Sequence, residues 1–124
     1  MRLDHVNVRC TDLEVTRRFL EDTVGLKVGW RPPFSFPGYW MVDETGHPVV
    51  HMIGMDRAPA ELGVVDHIAF RYDDLGPTLA RLQALGLPLA TIPVPGTDIV
   101  QGFLAGPDGL RLEFQGPLRG SVAR

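Results

Sequence analysis

The feature that most constrains the fold is an internal repeat, in which the second half of the chain restates the first at a spacing of 62 residues. Leu3-Asp4-His5-Val6 returns as Val65-Asp66-His67-Ile68, and the same spacing separates His51 from Glu113. Repetition of this kind predicts two copies of one structural unit. Since three of the four histidines fall within the repeat, it also draws attention to the chemistry of these positions.

Each copy shows the same predicted order of elements, which is a strand, a helix and three further strands. Alternation of polar and apolar residues indicates the strands, and an apolar stripe at helical spacing indicates each helix. Thr11 is the predicted N-cap of the first helix, with Glu14 completing a capping box. The strands are predicted at 3–10, 26–30, 39–42 and 48–53, then at 64–72, 87–92, 99–104 and 110–114, and the helices at 12–24 and 74–85.

The predicted fold is therefore α+β, with two βαβββ modules at residues 1–55 and 64–116 joined by a linker at 56–63. Alternation places His5, Asn7 and Arg9 on one face of the first strand and Val6 and Val8 on the other. With a helix covering each apolar face, the polar faces of the two modules are expected to line a cleft. Together the modules would form a curved eight-stranded mixed sheet around a metal-binding cleft.

Size and composition exclude several classes of function. A chain of 124 residues suits one domain, and a net charge of −3 argues against a nucleic-acid-binding face. No apolar run approaches the roughly 20 residues of a membrane span. Cys10 is the one cysteine, which excludes an intrachain disulfide and predicts a buried thiol. A cytoplasmic location is expected.

Four repeated side chains are the candidate metal ligands. If the modules pack about a pseudo-twofold axis, His5, His51, His67 and Glu113 converge on one point. Three imidazoles and one carboxylate make a site for one divalent metal ion, and this donor set suits Zn, Ni, Co, Mn and Fe alike. His47, in a turn before a proline, is predicted to be a solvated surface histidine.

Further polar and aromatic side chains are candidates for substrate binding. Arginines on the ligand faces would form a cationic rim for an anionic group such as a carboxylate, although arginines at strand ends often serve solvation alone. Asn7 shares such a face. Trp40 belongs to an aromatic group around a proline-rich segment, which would be either core packing or a wall of the cleft. The predicted substrate-binding residues are Arg9, Asn7, Arg71, Arg111 and Trp40.

The motifs at residues 3–6, 65–68 and 106–114 resemble those of the vicinal oxygen chelate superfamily, which includes glyoxalase I, extradiol dioxygenases and bleomycin resistance proteins. The last of them is Gly106-Pro107-Asp108-Gly109-Leu110-Arg111-Leu112-Glu113-Phe114. In that superfamily the first and fourth strands of each module supply the metal ligands, which correspond here to the same four residues. His51 stands where lyase and isomerase members tend to carry Glu or Gln.

The resemblance implies a metal-dependent glyoxalase-like lyase or isomerase that chelates a small oxygenated, anionic substrate. The metal would stabilise an enediolate, and Glu113 would act as the catalytic base. One alternative is an Fe(II)-dependent extradiol-type dioxygenase that uses His5, His67 and Glu113. A second is a non-enzymatic binding protein similar to bleomycin resistance proteins. A homodimer is expected, with the cleft formed within one chain or across two.

Overall fold

A computed structural model describes residues 2–57, 65 and 67–120. The chain divides into two compact units, residues 1–61 and 62–124. Residues 58–63 of the predicted linker, residue 64 at the start of the second predicted module, and Asp66 lie outside the described residues. In the part of the chain that is described, no helix is long and apolar enough to cross a membrane.

The first unit contains a four-stranded mixed sheet and one helix. The sheet has the strand order β1-β4-β3-β2, with β1 parallel to β4 and the other neighbours antiparallel. Helix α1 packs against β2, β3 and β4. The elements are β1 (Val6–Cys10), α1 (Leu13–Thr23), β2 (Lys27–Val28), β3 (Gly38–Val42) and β4 (Pro48–Gly54).

The second unit repeats this plan, with the strand order β5-β8-β7-β6. Its parallel pair has the same register as the first, because Asn7 lies opposite His51 and Ala69, 62 residues after Asn7, lies opposite Glu113. The predicted α+β class and the two βαβββ modules are confirmed, and the eight strands form two four-stranded sheets. The elements are β5 (Ile68–Arg71), α2 (Gly76–Ala84), β6 (Ile92–Pro93), β7 (Val100–Ala105) and β8 (Arg111–Gly116).

The predicted N-cap of the first helix is wrong by one residue. Asp12, not Thr11, caps α1, and its Oδ1 accepts hydrogen bonds from the backbone N–H groups of Glu14 and Val15. Aspartate caps a helix at least as well as threonine, so the chain begins the helix one residue later. Glu14 then turns outward, where its carboxylate accepts from Arg17 and Tyr39.

The second helix and the edge strands are shorter than predicted. Helix α2 begins at Gly76 rather than at residue 74, because Asp74 accepts a hydrogen bond from the Gly76 N–H and stays outside the helix. The strand predicted at 87–92 is reduced to Ile92–Pro93, since Pro88 lacks the N–H donor that a ladder requires. The strand predicted at 64–72 is described only over Ile68–Arg71.

The apolar face of each sheet is buried as the alternation predicts. In the first unit Cys10, Leu20 and Met52 are almost completely buried. In the second unit Leu112 and Phe114 have no exposed surface, and they flank Glu113 on the opposite face of β8. The ligand strands are therefore held on their rear faces by packed cores, which fixes the direction of the polar side chains.

Strand β8 is preceded by a tight turn at Pro107–Gly109. Asp108 adopts the left-handed conformation with φ 57°, and Gly109 has φ 79°. Aspartate and glycine tolerate this region better than other residues. The turn reverses the chain directly before the strand that carries Glu113.

Candidate metal site

In the first unit, the two predicted ligands are in contact. His51 lies on β4, and His5 immediately precedes β1, which is the strand paired with β4. The rings of His5 and His51 stack with centroids 3.7 Å apart and planes 9° apart. Trp40 on β3 stacks against His51 at 3.9 Å, so three parallel rings form one column.

The His51 ring is buried and has one nitrogen without a partner. Its side chain makes a hydrogen bond with the backbone of Pro48, and since proline has no N–H, the ring is the donor. Nε2 is buried with no hydrogen-bond partner in the described structure, so the donor is Nδ1 and Nε2 keeps its lone pair. Burial, followed by repulsion from His5, lowers the pKa of His51 and favours the neutral imidazole.

The ring of His5 is oriented by the carboxylate that precedes it. His5 Nδ1 lies 2.8 Å from Asp4 Oδ2, and because a carboxylate only accepts, Nδ1 carries the proton. This leaves the Nε2 lone pair of His5 for another partner. The hydrogen bond from His5 also lowers the pKa of Asp4, with a smaller contribution from His47.

His47 is 44% exposed, which agrees with its prediction as a surface residue. Its Nε2 nevertheless contacts Asp4, at 2.9 Å from the backbone carbonyl and 3.2 Å from Oδ1. Asp4 therefore joins two histidines, and it is a contributor to the site that the sequence interpretation missed. The sequence did carry a signal, since an aspartate directly precedes the first histidine of each repeat.

In the second unit, the two predicted ligands are also in contact. His67 Nε2 lies 3.0 Å from Glu113 Oε1, and Glu113 is only 6% exposed. The other carboxylate oxygen accepts a hydrogen bond of 2.9 Å from Gln115 Nε2. Gln115 in turn accepts from Arg71 at 2.7 Å, so a chain of contacts runs from Arg71 to His67.

The three arginines of the predicted cationic rim differ in what their side chains contact. Arg9 is exposed on β1, whereas Arg71 is held by Gln115. The Arg111 guanidinium lies 4.4 Å from the centre of the Phe103 ring, which also packs edge-on against His67 at 5.1 Å. Arg71 and Arg111 thus border the His67–Glu113 pair through intermediate side chains.

The predicted metal ligands are brought together as two pairs, His5 with His51 and His67 with Glu113. Among residues 2–57, 65 and 67–120, no group of three or more His, Cys, Asp and Glu side chains is gathered around one point. The donor types fit a divalent ion, and the unpartnered Nε2 of His51 is an acceptor that such an ion would satisfy. The residues present therefore fit the predicted metal.

Beside the first pair is a small cavity, of about 120 Å³, in the first unit. The predicted residues Asn7 and Trp40 line it, together with His51 and two phenylalanines of the proline-rich segment. Arg31 also lines it and was not predicted to have a role. No sequence signal distinguishes this arginine, because it lies outside both the repeat and the regular strands.

A model of the glyoxalase/bleomycin resistance protein/dioxygenase superfamily matches residues 2–114. The chain belongs to this superfamily. The predicted resemblance to the vicinal oxygen chelate superfamily is thereby confirmed. Members of the superfamily commonly bind a divalent metal ion and small-molecule substrates, and they include non-enzymatic resistance proteins as well as enzymes. A comparison with curated proteins finds no match.

Solved structures of the superfamily share the fold at low identity. A glyoxylase/bleomycin resistance protein/dioxygenase domain from Frankia sp. EAN1pec is 18% identical, with a TM-score of 0.73 over 97% of this chain and 94% of that chain. The fosfomycin resistance protein FosX from Listeria monocytogenes is 15% identical, with a TM-score of 0.70 over 96% and 95%. Trypanothione-dependent glyoxalase I from Leishmania major is 20% identical, with a TM-score of 0.67 over 94% and 86%.

Proposed function

We propose that this protein is a metal-dependent enzyme of lyase or isomerase type that acts on a small oxygenated, anionic substrate. His5, His51, His67 and Glu113 are the proposed ligands of one divalent ion. The observation that carries this proposal is the buried Nε2 of His51, which has no hydrogen-bond partner in the described structure. A buried acceptor left without a donor costs about 1–3 kcal/mol, and a metal ion would remove that cost.

The contacts of the two histidines in the first unit support this ligand set. Asp4 accepts the Nδ1 proton of His5, and the Pro48 carbonyl accepts that of His51. Both rings therefore keep the Nε2 lone pair, which is the form of histidine that binds metals. Of the two, the Nε2 of His51 is buried and faces no donor among the described residues, so a bound cation would stabilise it.

The second unit supplies the carboxylate. His67 Nε2 lies 3.0 Å from Glu113 Oε1, so both atoms could bind one metal ion, which would displace any proton held between them. Gln115 holds the second oxygen of Glu113, so the carboxylate keeps its orientation when its contact with His67 is exchanged. Such a contact leaves one carboxylate oxygen positioned while the other accepts a proton.

A divalent ion bound by these residues would polarise a substrate carbonyl and stabilise the negative charge that develops when a neighbouring proton is removed. Glu113 is the proposed base, because it is the one carboxylate in the proposed ligand set. Arg9 and Arg111 would attract an anionic substrate, and Asn7 and Trp40 would orient it. A homodimer with a cytoplasmic location remains part of the proposal.

Hydrogen–deuterium exchange tests the proposed reaction without requiring the natural substrate. A 2-hydroxy ketone such as hydroxyacetone is incubated in D₂O with protein loaded with each divalent metal in turn, and exchange next to the carbonyl is followed by NMR. We expect metal-dependent exchange that Glu113→Gln reduces about 10²–10⁴-fold. Glu44→Gln, the same change at an exposed turn residue of the first unit, is the control and should exchange as the wild type does.

Two outcomes of the exchange experiment would contradict the proposal. Exchange that is insensitive to Glu113→Gln would remove the proposed base. A protein that shows no exchange with any metal, yet consumes O₂ with a catechol when loaded with Fe(II), would contradict the lyase or isomerase proposal and favour dioxygenase chemistry.

A further inference from the structure

The cavity in the first unit contains a cation that no described carboxylate neutralises. Arg31 follows β2 and lies against the rings of Phe34 and Phe36, at 5.0 Å and 4.9 Å from their centres. Among the described residues it forms no salt bridge, and its one hydrogen bond runs from Nη2 to the carbonyl of Phe36 at 2.9 Å. A charge placed against two aromatic faces is partly desolvated, which increases its attraction for an anion.

The backbone holds this arginine in a fixed position. Pro32, Pro33 and Pro37 restrict the segment that carries the two phenylalanines. Gly38 provides the space for the side chain, because a Cβ at that position would lie 3.0 Å from Arg31 Nη2 and 2.1 Å from the carbonyl oxygen of Met52. A guanidinium that is already ordered loses little entropy when it binds a ligand.

The available edge of the guanidinium indicates what kind of anion fits. Nε is buried without a hydrogen-bond partner, and Nη2 already donates once. The donors that remain belong to Nη1 and to the second N–H of Nη2, which form one planar fork. Such a fork matches the two oxygens of a carboxylate, whereas a phosphate dianion would require further cations that the cavity lining does not contain.

Apart from Asn7 and His51, the rest of the cavity lining is apolar and aromatic. Phe34 and Phe36 stack at 5.0 Å, and Phe34 lies 6.2 Å from Trp40, which stacks on His51. These faces suit a planar, conjugated group, since aromatic rings favour stacked and edge contacts with one another. The cavity thus offers a charged anchor, ring faces and, at its inner wall, a proposed metal ligand.

We infer that this cavity binds the carboxylate end of a planar, aromatic or conjugated substrate, with Arg31 as the anchor that determines specificity. The inference rests on the proposed function, because it assigns the cavity beside His51 to the substrate of that site. It differs from the predicted rim of Arg9, Arg71 and Arg111, none of which lines this cavity. The substrate would extend from Arg31 along the aromatic faces toward the His5–His51 pair.

The test compares 4-fluorobenzoate with its neutral counterpart, 4-fluorobenzamide, by ¹⁹F NMR titration of the complete chain. Titrations use protein stripped of metal by a chelator and, separately, protein loaded with metal. We expect the wild type to bind the carboxylate about tenfold or more tightly than the amide in both forms. Arg31→Gln should remove this preference, while Arg18→Gln, an exposed arginine on α1, should retain it.

Arg31→Lys provides a second variant in case Arg31→Gln folds poorly. It keeps the charge but loses the planar fork, so the carboxylate should bind several-fold more weakly than to the wild type. Equal affinity for the carboxylate and the amide in the wild type, or unchanged carboxylate affinity in the Arg31 variants, would overturn the inference. Because the metal-free protein is tested separately, failure of the proposed metal site would leave the carboxylate preference intact.

Discussion

A histidine binds a metal ion through a ring nitrogen that carries no proton, so the partner of its other nitrogen decides which atom is available. In the first unit these partners are the carboxylate of Asp4 for His5 and the backbone of Pro48 for His51. The two rings stack at 3.7 Å, and in each of them Nε2 is the nitrogen without a proton. Asp4 is therefore expected to matter for metal affinity although it is not a proposed ligand.

Replacing Asp4 by Asn tests this positioning role. The amide no longer provides a charged acceptor for the His5 N–H, so the ring becomes less basic and less well oriented. We expect metal affinity to fall by about 10–100-fold, measured by competition with a coloured chelator. Asp98→Asn, an exposed aspartate in the second unit, should leave the affinity unchanged. Equal affinities in wild type and Asp4→Asn would show that the Asp4–His5 contact has no part in the site.

At this scale, the repeat predicted which side chains carry the chemistry, and the structure puts His5 beside His51 and His67 beside Glu113. Their role as ligands remains a prediction. Arg31 could not be found from the sequence, because its position depends on how the proline-rich segment folds back against Gly38. Contacts between residues in irregular segments leave no periodic pattern for sequence analysis to detect.

Among the secondary-structure elements, the start of α2 is connected to the chain that follows β8 by one carboxylate, that of Asp74. Asp74 accepts hydrogen bonds from the backbone N–H groups of Gly76, Arg119 and Gly120. These bonds, the one from Gly76 foremost, lower the pKa of Asp74 below its usual value of 3.8. Because the folded protein prefers the ionised form, the stability that Asp74 adds is present above that usual value and is lost as the pH falls through the folded-state pKa.

This linkage predicts a pH-dependent effect of Asp74→Asn. The variant should melt at a lower temperature than the wild type at neutral pH, and the difference should shrink in acid once Asp74 is protonated. Thermal unfolding followed by circular dichroism across this range measures the effect. The control is Asp73→Asn, a change at the neighbouring residue. It keeps Asp74 as the acceptor of the three N–H groups, so its melting temperature should equal that of the wild type across the pH range. A difference that stays constant down to strongly acidic pH would contradict the assignment.

Burial along α2 predicts opposite results for two leucines. Leu82 has no exposed surface, whereas Leu85 directly follows the last residue of the helix and is 46% exposed. Leu82→Ala should lower the free energy of unfolding by about 2–5 kcal/mol, because it leaves a cavity in the core. Leu85→Ala should change it by less than about 0.5 kcal/mol. Urea denaturation compares them, and similar losses in both would mean that the packing of α2 is not as described.

The identity and order of the elements could be predicted because most of them have a periodic pattern, but their ends could not. The N-cap of α1 was wrong because Thr11 and Asp12 are both good caps, and only backbone geometry selects between them. The helix predicted at 74–85 included Leu85, which falls outside the observed helix because the chain turns at Gly86, where φ is 77°. Short edge strands with prolines, such as β6, carry too few residues for alternation to be recognised.

At the scale of the whole molecule, the chain contains two βαβββ units with the same strand order but different side chains on their polar faces. The first copy carries a pair of imidazoles with an aromatic cavity, and the second carries an imidazole with a buried carboxylate. The strand order and register are retained, which the spacing of 62 residues predicts. Membership of the superfamily agrees with this duplication, whereas the homodimer and the cytoplasmic location stay predictions.

The central claim is that ligands from both copies hold one metal ion. The most direct test is the metal content of protein purified without a histidine tag, measured by mass spectrometry for the wild type, His51→Ala, His67→Ala and His47→Ala. We predict about one divalent ion per chain in the wild type and in His47→Ala, and almost none in His51→Ala and in His67→Ala. The claim would be contradicted if the wild type held no metal and took none up when metal was added. It would also be contradicted if His51→Ala and His67→Ala kept their bound metal.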